Sequence, residues 1–566
     1  MNSRRNDLCV QMYNGLQTNL ADYVERYASE KPDAVAIIEH NTGERVTWKK
    51  FHQSVSAFAA KLLSIGLKKG DVVATSLPLL KEHVFLIYAC WRTGIIVAPL
   101  DLRLKSKEIL YCMEKMRPKA YFFLGKTPLA DFRPLVAEVM KNAPYVTFWV
   151  QFQKEKDLIM DGAVGVADFV KDIKWVYVKS LLTGAVKKAR RQVAKRDPCL
   201  IIFTTGSTGS SKPALLCHEN ILVQNIGLAV AFDIQANDRM LINLPPSHVG
   251  CITEQLATTI FGGGISVILH IFDSKKSLEA IQEHKITTLG QIPALFNMEW
   301  RLPEYAGFNL SSLRFAIYGG QAVSREFLEK MSKMAPKIGT GLGLTETAGF
   351  CTYTDLDATV DDLVAGIGFD MPLCPISIRD AMNPDGTAGK EKPAGEVGEI
   401  CFAGPQIFLG YLGDPVNTGK TVSKEGVCYT GDLGYYDGKG LHFAGRSKLV
   451  IKPKGYQVFP EDVENHIAGK LKGRVGMVAC VGVEHRIWSE AIMTFVESVD
   501  PARKVACEEV LDACQDIAAY SRPSHVIIVD AGKMPLNRVA KTDYMALKQT
   551  ACEAVVKLRS EGKWDN

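Results

Sequence analysis

Three features that would indicate a metal protein, a secreted protein or a membrane protein are missing from this sequence of 566 residues. The fourteen cysteines include no CxxC pair, so neither a zinc site nor a disulfide framework is indicated, and reduced thiols are expected. The opening MNSRRNDLCV carries charge but lacks the apolar core of a signal peptide. No apolar run reaches the about 18 residues that a transmembrane helix needs. The sequence therefore predicts a cytoplasmic protein.

A large excess of charge of either sign is also missing. The chain has 67 Lys and Arg residues against 62 Asp and Glu residues, a net charge of only +5. A nucleic-acid partner would require a clustered basic face, so none is expected. Apolar residues make up 47% of the chain and charged residues 23%, the ordinary balance of a globular protein. The length allows one or two large domains.

Through the first three hundred or so residues, short apolar segments alternate with helical patterns. Strands that alternate with helices of about 10–15 residues are typical of βαβ units and a parallel sheet. From about Gly395 the predicted strands become short and glycine-rich, which indicates a small antiparallel unit. The sequence predicts an α/β protein with a large N-terminal domain of parallel-rich sheets plus that antiparallel unit, residues 1–445. A small, mobile α+β domain is expected at residues 446–566.

The segment Glu155–Arg196 is predicted to be the least regular part of the chain. Basic residues crowd its end: Lys187, Lys188, Arg190, Arg191, Lys195 and Arg196. Two interpretations are open, a solvated helix face before the next strand and a patch that meets a membrane surface. The first is the more common origin of such a charge run.

The strand Leu200–Phe203 is followed by a loop of glycines and hydroxyl side chains, Thr204–Ser211, that ends at Lys212. Backbone N–H groups, hydroxyls and one lysine form a cradle for phosphate oxygens, although a flexible loop is the other interpretation. Ser211 before and Pro213 after Lys212 distinguish it from the P-loop of the NTPases. Ligands of parallel sheets bind beyond the carboxyl ends of strands. Three loops at such ends are therefore expected to form a site: Thr204–Lys212, Ser247–Gly250 and Gly319–Ala322.

Eight motifs along the chain together resemble one enzyme family. They are TTGSTGSSKP, PPSHVG, YGGQA, GLGLTET, GEICFAGPQIFLGY, YTGDLGYYDGKG, GRSKLVIKPKGYQVFPEDVE and PLNRVAK. In this order they are similar to those of AMP-forming acyl-CoA synthetases, within the adenylate-forming superfamily that also contains peptide-synthetase adenylation domains and luciferases. The resemblance implies that a carboxylate attacks the α-phosphorus of ATP in the presence of Mg²⁺, giving acyl-AMP and pyrophosphate. Coenzyme A then displaces AMP to give a thioester.

The resemblance also implies roles for particular residues. ATP would contact Thr204, Thr205, Gly206, Ser207, Thr208, Gly209, Lys212, Gly319, Gly320, Gln321, Asp432 and Arg446. The expected catalytic residues are Lys541, Thr345, Glu346 and His248, with Glu346 as the ligand of Mg²⁺. Coenzyme A would contact Lys454, Gly455 and Tyr456, and Lys448 would be the hinge of the small domain. Leu342 stands where an aromatic residue often stacks on adenine.

The acyl pocket is expected at His248, Val249, Gly250, Gly343 and Phe350. In acetate-specific relatives a tryptophan occupies the place of Gly343, so an acid larger than acetate is predicted, and Gly343→Trp should favour small acids. A medium-chain or branched fatty acid ranks first because the lining shows no polar group to read a ring substituent. An aromatic or alicyclic acid is the alternative. A carrier-protein ligase, a luciferase-like oxygenase and a non-catalytic binding protein are the rival classes, and a homodimer is left open.

Overall fold

A computed structural model describes residues 3–204, 211–446, 449–453, 456, 458–500, 503–537 and 541–565, without the side chains of Ser3 and Arg446. Several residues with predicted roles lie outside the described part: Thr205, Gly206, Ser207, Thr208, Gly209, Lys448, Lys454, Gly455 and the side chain of Arg446.

An eight-stranded sheet carries the phosphate-loop motif near one end. In spatial order its strands are Gly410–Tyr411, Pro213–Cys217, Pro198–Phe203, Ile96–Pro99, Val72–Ser76, Ala120–Leu124, Phe148–Phe152 and Val164–Gly165. The six strands from Pro198–Phe203 onward run parallel to one another. Pro213–Cys217 pairs antiparallel with Pro198–Phe203, and Gly410–Tyr411 pairs antiparallel with Pro213–Cys217. Every residue of Val72–Ser76 is buried, as expected for a strand that helices cover on both faces.

A seven-stranded sheet provides the second group of strand ends. Its order is Ile338–Thr340, Phe315–Tyr318, Thr288–Gln291, Arg239–Ile242, Ile265–Ile268, Val35–Glu39 and Glu44–Thr47. All neighbours are parallel except the last pair, which is antiparallel. The predicted alternation of strands and helices is thus distributed over two parallel-rich sheets.

Helices cover these sheets and lie on the small domain. Their bounds are Ser3–Asn14, Ala21–Glu30, Trp48–Ser64, Lys81–Thr93, Ser106–Met116, Arg133–Asn142, Val166–Val170, Ile173–Thr183, Ala185–Arg191, His218–Ala231, Gly250–Ala257, Thr258–Gly262, Ser274–His284, Pro293–Trp300, Arg325–Met334, Val360–Ala365, Pro415–Gly419, Pro460–Lys470, Cys507–Ala513 and Tyr544–Ser560. The segment Glu155–Arg196, predicted to be irregular, contains three of them, so that prediction is wrong. No helix in the described part of the chain is long and apolar enough to cross a membrane.

Smaller sheets complete the fold. An antiparallel sheet holds Ile376–Arg379, Gly398–Phe402, Cys428–Asp437 and Gly440–Arg446, where the glycine-rich unit was predicted. Two short antiparallel pairs are Gly343–Leu344 with Gly349–Phe350, and Thr352–Tyr353 with Phe369–Asp370. After residue 450, the strands Val475–His485, Ser489–Ser498 and His525–Val529 form a separate sheet with hydrophobic clusters of their own. The predicted fold class is confirmed, whereas the boundary at residue 446 and the mobility of the small domain stay predictions.

Candidate active site

The predicted loops at the carboxyl ends of the strands line one large cleft of about 2380 Å³. Of the residues predicted from the sequence, the cleft is lined by Thr204, Lys212, His248, Val249, Gly250, Gly319, Gly320, Gln321, Gly343, Thr345, Glu346, Phe350, Asp432 and Lys541. Tyr456 is not among the residues that line it. The structure therefore brings together the described ATP-side and acyl-side residues, although they are spread over most of the chain.

The two ends of the predicted phosphate loop are held by direct hydrogen bonds. Thr204 donates its backbone N–H to the carbonyl of Lys212 at 2.9 Å, and the N–H of Lys212 donates to the hydroxyl of Thr204 at 3.2 Å. Both residues sit at the open end of the antiparallel pair Pro198–Phe203 and Pro213–Cys217. The sheet thus fixes the point from which the Lys212 side chain enters the cleft.

Tyr411 connects this lysine to the predicted magnesium ligand. The ammonium of Lys212 lies 4.9 Å from the centre of the Tyr411 ring, and the Tyr411 hydroxyl donates to Oε1 of Glu346 at 2.5 Å. Burial and the neighbouring Glu346 carboxylate raise the pKa of Tyr411 far above its usual range, so the hydroxyl stays a donor. A cation and a carboxylate are therefore held beside one tyrosine, the cation near its ring and the carboxylate at its hydroxyl.

Sequence reasoning missed Tyr411, although it ends the motif GEICFAGPQIFLGY. Its backbone pairs with Ala214 in the eight-stranded sheet, next to Lys212. The local sequence does not distinguish Tyr411 from an ordinary strand residue, because its contacts with Lys212 and Glu346 depend on that pairing. The one feature that could have pointed to Tyr411 is its place at the end of a strand that pairs beside the phosphate loop.

Lys541 reaches from the small domain to the glycine turn of the large one. Gly320 has a φ of +95°, and a Cβ placed there would lie 3.1 Å from Cε and 3.4 Å from Nζ of Lys541. A Cβ on Gly319 would lie 2.8 Å from the ring of Phe350. The two glycines thus permit close approach of the lysine on one side and of an aromatic ring on the other.

Asp432 is buried within the strand Cys428–Asp437, directly opposite Arg446 in the antiparallel register. Its backbone N–H donates to the hydroxyl of Thr430 at 3.0 Å. The carboxylate is therefore placed by a rigid sheet rather than by a loop. Such a position suits a group that must present fixed acceptors to two hydroxyls.

His248 is a neutral imidazole at physiological pH. Burial, together with the positive charges of Arg103 and Lys541, lowers the pKa of His248 to about 4, and Asp101 opposes this shift. At pH 7 the ring therefore adds no positive charge to the acyl side of the cleft. It can still donate one hydrogen bond.

Glu254 is a carboxyl group in the wall of the cleft, beside the predicted acyl-side residue Phe350, that the sequence analysis did not identify. It belongs to the helix Gly250–Ala257, which has the wider π-helical winding often found at functional sites. Its Oε1 accepts from the N–H of Phe350 at 2.9 Å. No described residue donates to its Oε2, and the side chain lines the cleft.

Burial raises the pKa of Glu254 to about 7, against the opposing effects of the Phe350 N–H and Lys541. Glu254 is thus a polar group beside the predicted acyl residues, where the sequence showed no obvious group to read a ring substituent. The signal in the sequence was a lone carboxylate within the apolar helix CITEQLATTIF. Carboxylates are almost never placed on a buried apolar helix unless they have a partner.

A close backbone contact surrounds the place of Gly343, which the sequence analysis expected a larger side chain to fill. Gly343 pairs with Phe350 across a short antiparallel ladder, and a Cβ there would lie 2.7 Å from the carbonyl of Gly349. Any side chain would therefore collide with backbone before it reached open space. That Gly343→Trp favours small acids therefore stays a prediction, and a tryptophan there would also displace the neighbouring strand.

Tyr456, a predicted contact of coenzyme A, is 55% exposed, and its ring stacks on Tyr520 with 4.3 Å between the ring centres. It lies on the small domain and outside the cleft lining. Its role therefore stays a prediction that depends on movement of that domain.

Comparison with known proteins identifies the family to which this chain belongs and solved structures that share its fold. The profile of a family described as AMP-binding enzyme matches residues 24–412. The chain is 27% identical over 535 residues to an indoleacetate–CoA ligase of Aromatoleum aromaticum, covering 93% of this chain and 98% of the relative. It is 24% identical over 549 residues to a medium-chain fatty-acid–CoA ligase of Escherichia coli, covering 95% and 92%. The crystal structure of ATP-bound MatB from Rhodopseudomonas palustris shares the fold, with a TM-score of 0.78, 22% identity and coverage of 95% and 99%.

Proposed function

Because this chain belongs to the AMP-binding enzyme family and is an acid–thiol ligase, we propose that it activates an acid larger than acetate as its adenylate. The reaction uses ATP, Mg²⁺ and coenzyme A. The carboxylate oxygen of the acid forms a bond to the α-phosphorus of ATP, and the bond to pyrophosphate breaks. The thiol of coenzyme A then attacks the acyl carbon, loses its proton and releases AMP.

One observation supports this proposal more than any other. Lys212 and Glu346 meet at Tyr411, and Lys541 lies against Gly320 in the same cleft. A carboxylic acid is already ionised at pH 7, so the first step needs no general base. The barrier of this step comes from negative charge that accumulates where the carboxylate meets the phosphates, and fixed cations and hydrogen-bond donors stabilise that charge. In this proposal Lys212 would face the departing phosphates, and Lys541 would face the reacting carboxylate.

Glu346 fits the proposed role of a magnesium ligand. The hydrogen bond from Tyr411 orients its carboxylate, and the remaining lone pairs are the hard oxygen donors that Mg²⁺ prefers. The ion would neutralise charge on the phosphates. Thr345, at the edge of the same short turn, would donate to the α-phosphate, and Asp432 would accept from the ribose hydroxyls.

The walls of the acyl side support an apolar acyl group, in agreement with a medium-chain or branched acid. Val249 and Phe350 face the cleft there, and His248 is neutral. Glu254 favours a second candidate, an aromatic or alicyclic acid that carries a hydroxyl or N–H group. The Oε2 of Glu254 would accept from such a donor, and leaving it without a partner on a purely apolar acid would cost binding energy.

A panel of acids tests both parts of the proposal. Pyrophosphate release is measured with acetate, hexanoate, 6-hydroxyhexanoate, phenylacetate and 4-hydroxyphenylacetate, with and without coenzyme A. We expect kcat/KM for hexanoate to exceed that for acetate by roughly 10²-fold or more, because each buried methylene is worth about 0.8 kcal/mol. Equal values for acetate and hexanoate would refute the large pocket. Hydroxylated acids that are no better than their parents would refute the role of Glu254 but not the reaction.

A further inference from the structure

The helix Ile173–Thr183 presents bulky apolar side chains to solvent. Trp175 is 66% exposed and Leu182 is 85% exposed, and Val178 and Leu181 beside them are also exposed. Trp175, Val178 and Leu182 follow the i, i+3, i+7 spacing of one helix face. The buried side of the helix packs on the helix Trp48–Ser64. We call the four exposed apolar side chains the Trp175 face.

Positive charge surrounds the Trp175 face. Residues 171–191 contain seven Lys or Arg residues and one Asp, a net charge of +6, whereas the whole chain has +5, so the rest of the chain is at −1. The single acidic residue, Asp172, is already paired with Lys61 at 2.6 Å. Lys187, Lys188 and Arg191 on the following helix are exposed, and the ammonium of Lys179 lies 5.2 Å from the Trp175 ring. Arg190 pairs with Asp22 and Lys171 with Asp168, so the remaining positive charge beside the Trp175 face lies on Lys174, Lys179, Lys187, Lys188 and Arg191.

We propose that the Trp175 face and its lysines dock this protein on an anionic lipid surface. A helix that has Trp and Leu on its exposed face and Lys or Arg along its flanks is suited to the boundary between headgroups and acyl chains. Anionic lipids attract the flanking cations, and the tryptophan lies at headgroup depth. This surface is separate from the cleft and does not depend on the proposed acid.

A second copy of the chain is a poorer occupant of the same surface. A two-fold symmetric interface brings the same patch of both protomers together. It would place two +6 segments against each other, and like charges close together repel. A lipid surface of opposite charge satisfies both the apolar side chains and the cations.

Co-sedimentation of the full-length protein with vesicles tests the proposal. Phosphatidylcholine vesicles are compared with vesicles in which about a third of the lipid is phosphatidylglycerol, at low salt and at about 1 M NaCl, where charges are screened beyond roughly 3 Å. We expect binding to the anionic vesicles at low salt and its loss at high salt. Absence of binding to anionic vesicles, or equal binding to neutral ones, would overturn the proposal.

Variants separate the contribution of the positive charges to vesicle binding from that of the apolar side chains. Lys187→Glu together with Lys188→Glu should weaken vesicle binding roughly 30-fold or more, since each basic residue contributes about a factor of five. Lys49→Glu with Lys50→Glu is the matched control on another exposed helix surface and should change it little. Trp175→Ser with Leu182→Ser should weaken binding at least roughly 10-fold, whereas Leu129→Ser, a change at another exposed leucine, should not.

Two further measurements keep the result interpretable. Pyrophosphate release from a water-soluble acid should be unchanged in every variant, because none of these residues lines the cleft. Sedimentation velocity without vesicles shows whether the protein self-associates. A dimer that disappears in Trp175→Ser/Leu182→Ser, together with no vesicle binding by the unmodified protein, would assign the face to a second copy and overturn the proposal.

Discussion

The two halves of the cleft are built in different ways. The predicted phosphate half holds groups of the kind that the proposed reaction demands. Examples are the cation of Lys212 and the carboxylate of Glu346, at the ends of regular strands or beside them. The acyl half is shaped by close backbone contacts, at Gly343 and Gly319, and by one carboxyl group on a π-helical turn. The comparison teaches that charge requirements can be read from residue types, whereas the shape of a pocket is set by contacts between distant segments.

The strongest test of the phosphate half is Lys541→Ala. We expect adenylation to fall roughly 10²–10³-fold, the loss typical of a removed donor to developing charge. Formation of the thioester from supplied acyl-AMP should stay close to the unmodified rate, because the lysine is proposed to act on the first step. Pyrophosphate exchange measures the first half-reaction, and thioester yield measures the second. Lys533→Ala, at an exposed position on the same domain, is the control, and equal losses in both half-reactions would contradict the assignment.

In the acyl half, Glu254→Gln should change how stability depends on pH. The pKa of Glu254 is raised from 4.5 to about 7, so its contribution to stability is fully present below about pH 4.5 and is lost as pH rises through 7. Gln cannot ionise. From about pH 5 to pH 8 the unmodified protein should therefore lose up to about 3 kcal/mol relative to the variant. Urea unfolding of both proteins across this range measures the difference, and parallel pH profiles would show that the carboxyl group is not shifted.

Gly343→Ala tests whether backbone contact shapes the acyl half. A Cβ atom 2.7 Å from the Gly349 carbonyl must push the two strands apart, at a cost of roughly 1–3 kcal/mol in the free energy of unfolding. Gly307→Ala is the matched control, because no atom lies within 4 Å of a Cβ at that position. Denaturant midpoints and the acid panel are measured together. If Gly343→Ala kept full stability and preferred acetate, the added side chain would fill the pocket without displacing the strand, and the backbone contact would not shape the acyl half.

The smallest expected effect tests the contact of Tyr411 with both Lys212 and Glu346 in the phosphate half. Tyr411→Phe removes the hydroxyl that donates to Glu346 but keeps the ring beside Lys212. A single hydrogen bond to a charged group predicts a loss of roughly 10-fold in kcat/KM for MgATP, with little change in KM for the acid. In Tyr429→Phe, the control, the removed hydroxyl accepts from the backbone N–H of Gly389, and neither residue lines the cleft. A change in the acid KM alone would place Tyr411 in the acyl half instead.

Much of the large domain was predictable from local sequence. The alternation of strands and helices follows from periodicities of a few residues, so it can be predicted without knowing which segments pack against each other. The phosphate loop, Glu346 and Lys541 were predicted because the order of the motifs resembles one enzyme family; taken alone, Glu346 and Lys541 would pass for ordinary exposed residues. Helix Ile173–Thr183 was not predicted, since its outer face carries Trp175 and Leu182 where an ordinary surface helix would carry polar residues.

The sequence by itself determined the family and the α/β architecture and predicted the charged groups of the reaction, because each follows from short patterns or from the resemblance that the motifs carry. Only the tertiary structure decided that Tyr411 stands between Lys212 and Glu346, that Glu254 bonds to the backbone of Phe350 96 residues away, and that Gly343 has no room for a side chain. Such contacts join segments far apart in the chain. Their geometry is set by how the two sheets and the short ladders pack, which no local pattern records.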